Sequence, residues 1–97
     1  MYDLEFLEAA RLDVLEAEMY LNEYSPPAAE KFMSAIEKQE AHLTETPFMY
    51  PVYDARPFFR IMPLPYEYLC FYNVNNDTKT VTVHRILRGM RDITKIL

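Results

Sequence analysis

Residues 66–88 constrain the fold of this chain more than any other stretch. Tyr66-Glu67-Tyr68-Leu69-Cys70-Phe71-Tyr72-Asn73-Val74 and Lys79-Thr80-Val81-Thr82-Val83-His84-Arg85-Ile86-Leu87 are rich in aromatic and β-branched residues, and between them lies the polar run Asn75-Asn76-Asp77-Thr78. This pattern predicts a β-hairpin, because such side chains suit a pleated surface while Asn and Asp suit the turn. The hairpin exits through Arg85, Arg88 and Arg91, three guanidinium groups within seven residues of a chain with a formal net charge of -5. A polyanion or an acidic partner would be met there.

The remaining elements follow from periodicity and punctuation. Tyr2 to Leu7 reads as a short strand with Leu4 and Phe6 on one face. Leu12, Leu15 and Met19 recur at three and four residues, which predicts a helix over about residues 8–23 with these three as its core stripe. Ser25-Pro26-Pro27 restarts the chain, Ser25 as a cap and Pro26 in a first turn where its missing N–H is harmless. A second helix carries Ala29, Phe32, Met33, Ile36 and Leu43, and Thr46-Pro47 ends it. Residues 47–57, with Pro47, Pro51 and Pro57, form a crossing loop, and Phe58 to Leu64 is a strand closed by Pro63-Leu64-Pro65. The order β-α-α-β-β-β predicts one α+β domain over residues 1–97: an N-terminal strand and a helical hairpin packed on an antiparallel sheet, with a short C-terminal helix or tail.

Charge is divided along the chain. Residues 1–49 hold eleven acids against Arg11, Lys31 and Lys38, a balance of 3 − 11 = −8, whereas residues 50–97 hold seven bases against four acids, a balance of 7 − 4 = +3. The first half should repel nucleic acid and the second could attract it. Cys70 is the single cysteine, so no internal disulfide can form, and its apolar surroundings predict a buried thiol. The start Met1-Tyr2-Asp3-Leu4-Glu5 lacks the pattern of a signal peptide, and no stretch has the length of a membrane span. These features predict a cytoplasmic protein without membrane contact.

Alternation along the last strand would put Val81, Val83, Arg85 and Leu87 on one face and Thr80, Thr82, His84 and Ile86 on the other. Arg85 then lies at the rim of the apolar face, where a hydrogen-bonded structural role competes with a functional one. His84 reads as a solvated or hydrogen-bonded histidine, and Tyr66, Tyr68 and Tyr72 as sheet packing. His42, His84 and one distant cysteine do not give metal-ligand spacing, and a single glycine gives no phosphate-cradling loop. Neither a metal nor a cofactor is therefore expected.

Phe71-Tyr72-Asn73-Val74, Lys79-Thr80-Val81 and Arg85-Ile86-Leu87-Arg88-Gly89-Met90-Arg91-Asp92, in this order of elements, resemble the RelE/ParE superfamily of bacterial toxins. Many members end in arginine-isoleucine-leucine-histidine-glycine-arginine-arginine-aspartate after a tyrosine-rich strand; here Arg88 replaces the histidine and Met90 the first arginine of the pair. The resemblance implies the toxin of a type II toxin–antitoxin module, held inactive by a co-encoded antitoxin. An antitoxin helix would then lie on the helical hairpin, basic or apolar where it faces residues 1–49, with acids near Arg85, Arg88 and Arg91.

Two cellular targets are implied by different branches. The ribosome-dependent nucleases cut mRNA by attack of a ribose 2′-hydroxyl on the adjacent phosphate, without metal, using cationic side chains and proton-transfer groups. In that branch Arg60 and Arg91 match catalytic positions, but Met62 and Leu69 stand where further basic residues are expected, and the tail Ile93-Thr94-Lys95-Ile96-Leu97 lacks an aromatic acid. The other branch acts on DNA gyrase as an interaction protein without chemistry of its own, and the missing nuclease groups place this chain nearer to it. Target contact would then fall to Arg85, Arg88 and Arg91. A third reading is a non-toxic member that forms a complex with the antitoxin and represses its own operon.

Overall fold

The computed structural model describes residues 1–89. Arg91 and the expected C-terminal helix or tail lie outside the described residues. Strand β1 (Asp3–Phe6) is followed by helices α1 (Glu8–Tyr24) and α2 (Pro26–Glu45), then by β2 (Arg60–Leu64), β3 (Tyr68–Asn75) and β4 (Thr80–Arg88). The sheet runs β1-β4-β3-β2, with β2-β3 and β3-β4 antiparallel and β1 parallel to β4. The sheet is thus mixed rather than wholly antiparallel, because the first strand returns to pair with the last.

The expected hairpin forms for a visible local reason. Asn75 Oδ1 accepts from the backbone N–H groups of Asp77 (3.0 Å) and Thr78 (3.1 Å), so one side-chain amide closes the turn that β3 and β4 need. Ser25 joins the two helices through its backbone alone. Its N–H donates to Leu21 O (2.8 Å), its carbonyl accepts from Ala28 N (2.9 Å), and its side chain makes no capping bond, contrary to the expected cap. Strand β2 begins at Arg60 rather than Phe58, since Phe59 N–H turns back to Arg56 O at 2.9 Å.

The main core lies between the helices and the sheet. Phe32, Ile36 and Leu43 of α2 meet Met62, Tyr68, Cys70, Tyr72, Val81, Val83 and Ile86 there. α1 contributes Ala10, Asp13, Ala17 and Leu21, not the expected stripe: Leu12, Leu15 and Met19 are 52%, 54% and 67% exposed. Alanines at the contact let the helix axis approach the sheet closely, which larger side chains would prevent. The buried thiol of Cys70 is pushed up to about 12 by desolvation, so it is protonated and unreactive at neutral pH. A smaller cluster on the opposite face of the sheet holds Phe59 and Phe71, flanked by Tyr53, Ile61, Leu69 and Leu87.

The link from β2 to β3 is strained. Tyr66 and Glu67 take φ of 63° and 66°, left-handed backbone that neither side chain favours. Glu67→Asn keeps a polar residue while lowering that penalty, and should raise stability by about 0.5–1 kcal/mol. A urea midpoint equal to or below that of the parent would show that the turn is not a source of strain.

Candidate functional site

The geometry of β4 explains where its cations go. Register runs from Asn73↔Thr82 and Tyr72↔Val83 to Phe71↔Arg85, so His84 is an unpaired bulge residue. One extra residue reverses the alternation beyond it. Ile86 therefore joins Val81 and Val83 in the main core, and Leu87 turns to the other face, correcting the assignment made from simple alternation.

β1 pairs with β4 only over Thr80–Val83, so the continuing edge of β4 needs another partner. Asp13 of α1 supplies it. Its carboxylate accepts from Ile86 N (2.9 Å) and from Arg85 Nε (2.8 Å) and Nη2 (2.9 Å), a two-pronged ion pair that is 8% exposed on the Asp13 side. Hydrogen bonding to Asp13 raises the Arg85 pKa further, so this charge is permanent and locally balanced. Arg85 fastens α1 to the sheet.

Arg60 is also engaged. Its Nη1 donates to Tyr50 O at 2.7 Å and Phe48 O at 3.4 Å, and its guanidinium lies 5.0 Å from the Phe48 ring centroid. Together with the bridge between Val52 and Arg60, and the Tyr72 hydroxyl donating to Pro47 O at 2.7 Å, it anchors the crossing loop to the sheet. Arg88 alone of the three described candidates is exposed, and it rests on Tyr20 of α1: Nη1 lies 2.6 Å from the phenolic oxygen and the guanidinium 4.9 Å from the ring centroid. Arg91 falls outside the described residues. The structure thus does not gather Arg60, Arg85 and Arg88 around one space.

The sheet face away from the helices is apolar where a phosphate site would need charge. Ile61, Leu69 and Leu87 border its Phe59–Phe71 cluster. His84 sits beside them, its Nε2 3.0 Å from Asn73 Oδ1 and its ring edge-on to Phe58 and Phe59. Burial lowers its pKa, so it is neutral at pH 7. Among the described residues no group of three His, Cys, Asp or Glu side chains could hold a metal ion.

The outer surface of the helical hairpin carries a different feature. Two adjoining depressions, of about 580 and 390 Å³, run between α1 and α2 and share Met33. The first includes Met19 and Ala29, the second Phe6, Val14, Leu15 and Ile36. Their rims hold Glu18, Glu30, Glu37 and Glu40 against Arg11. The result is an acidic groove with an apolar floor, lined by Leu15 and Met19 of the exposed stripe. Its residues were legible as an apolar periodicity but not as a surface, and Tyr20 and Asp13 carried no signal beyond their place on a helix.

A family model described as the ParE toxin of the type II toxin-antitoxin system, parDE, matches residues 4–93. The fold is similar to that of the chromosomal ParDE toxin–antitoxin system from P. aeruginosa, with a TM-score of 0.73 and 20% identity over 93% of this chain and 98% of that one. It is also similar to the intact E. coli RelBE toxin-antitoxin complex (TM-score 0.63, 19% identity, 94% of this chain and 100% of that one). The isolated E. coli RelE toxin gives a TM-score of 0.63 at 19% identity, covering 100% of both chains. A search of curated protein sequences finds no significant match.

Proposed function

The chain belongs to the ParE toxin family of type II toxin–antitoxin systems, and from that premise we propose that it inhibits growth by binding DNA gyrase rather than by cutting mRNA. One observation carries this reading: among the described residues, the cation at a nuclease position is occupied, and apolar side chains stand where further cations are expected. Arg60 holds the crossing loop, Arg85 holds Asp13, and the free sheet face presents Ile61, Leu69 and Leu87. A pentavalent phosphate needs several uncommitted positive groups around it, and apolar side chains cannot supply them. An interaction toxin has no such requirement.

A cognate antitoxin is the partner, and its place is the acidic groove of the helical hairpin. A disordered antitoxin segment that folds on contact gains most by burying apolar side chains on Leu15, Met19 and Met33. Lysines or arginines flanking those anchors would meet Glu18, Glu30, Glu37 and Glu40. Among the described residues no helix is long and apolar enough to cross a membrane, and the proposed site of action is the cytoplasm, where gyrase works.

Expression without antitoxin is expected to arrest growth, and the purified protein to block gyrase supercoiling while ribosome-bound mRNA stays intact. Codon-positioned cuts with gyrase unaffected would reverse the assignment. Normal growth would point to the non-toxic reading.

A further inference from the structure

α1 has a second exposed flank, distinct from the antitoxin groove, and it is built unlike the rest of the surface. Tyr20 and Tyr24, one turn apart, meet edge-on with ring centroids 4.9 Å apart, and Arg88 from the end of β4 closes on Tyr20 through both its phenolic oxygen and its ring. Tyr24 is 73% exposed, and Arg88 is exposed. Beside them opens a cleft of about 300 Å³ with Ala17 and Ile86 among its lining residues and Glu16 at its side, room enough for an inserted side chain. Tyrosine and arginine around a small recess that also presents Ala17, Ile86 and Leu87 are the groups that dominate binding energy at protein interfaces. Here they are already held in place, so binding need not order them.

The charges around this cluster choose the class of partner. Arg85, which also borders the cleft, is balanced by Asp13, while Arg88 has Glu67 as a charged neighbour, Glu16 lines the same cleft and Glu23 acts on Tyr24. Among the described residues, three carboxylates around one guanidinium that has no carboxylate partner disfavour a phosphate backbone. The same mixture suits a protein surface that offers a carboxylate to Arg88 and an apolar side chain to the recess.

We propose that Tyr20, Tyr24 and Arg88, with the cleft they flank, form the surface by which this toxin docks on its protein target. This rests on the gyrase-directed reading above and names the residues that serve it. The same helix then serves two partners: its groove side takes the antitoxin and its tyrosine side takes the target.

The test compares the parent protein with Tyr24→Ala, Arg88→Ala and the double variant, in gyrase supercoiling inhibition and in antitoxin binding. Circular dichroism and urea unfolding check that each variant is folded, and Tyr24→Phe separates ring from hydroxyl. The double variant is expected to need about 30-fold more protein for equal inhibition, the effect of losing one interface hot spot or more, with antitoxin affinity within about twofold of the parent. Unchanged inhibition would overturn the inference while leaving the gyrase reading intact. So would retained inhibition with weakened antitoxin binding, which would assign the patch to the antitoxin. A parent protein that leaves gyrase untouched and cleaves mRNA would overturn the gyrase reading and this inference together.

Discussion

Asp13→Ala is expected to lower the unfolding free energy by about 3 kcal/mol, the lower end of the range for breaking a buried ion pair. The lower end applies because Arg85 is 26% exposed and recovers some hydration, whereas Asp13 is 8% exposed. The substitution removes three acceptor contacts at once and leaves Ile86 N–H at a buried position without its partner. For a chain of 97 residues, whose total stability is of order 5–10 kcal/mol, that loss is a large share. Arg85→Leu should cost at least as much, since it strands a carboxylate that is only 8% exposed with the Ile86 N–H alone to offset its charge. Asp13→Asn should cost least, keeping an acceptor for Ile86 and leaving only the partly exposed guanidinium without its counter-charge. Urea unfolding of the three variants gives the order directly. If Asp13→Ala lay within about 1 kcal/mol of the parent, the carboxylate would not be what fastens α1 to β4.

This contact also marks where the sequence stopped being legible. The hairpin, the two helices and their order could be read because aromatic and β-branched runs, Ser25-Pro26 and Thr46-Pro47 are local signals, and the ending of β4 carried the family resemblance. The bulge at His84 left no such mark. Its single extra residue exchanged the faces of Ile86 and Leu87 and freed Arg85 to reach a helix 72 positions away. α1 misled for a related reason. Its largest apolar residues form the outer stripe, and its inward face is Ala10, Asp13, Ala17 and Leu21, too small and too polar to stand out by hydrophobicity. A periodic apolar stripe marks a helix face suited to burial, and here that face is not the one packed on the sheet.

That exposed stripe gives the prediction with the largest expected effect on binding. Leu15→Asp together with Met19→Asp should weaken the complex with the antitoxin by about 100-fold or more, because each charge falls where an apolar anchor would otherwise be desolvated. Both side chains are more than half exposed, so the free toxin should retain its fold and its growth inhibition. The added carboxylates would also stand beside Glu18, Glu30, Glu37 and Glu40. If those acids attract a basic antitoxin segment, affinity of the parent complex should fall as salt rises, since the rim charges are screened within a Debye length of about 8 Å at physiological ionic strength. The apolar contribution should persist in high salt. Co-expression with antitoxin supplies the cellular readout: the parent grows, whereas the double variant arrests growth because its neutralising partner no longer holds. Continued rescue at parental affinity would mean that the antitoxin seats elsewhere, and the apolar face of α1 would then need a different occupant.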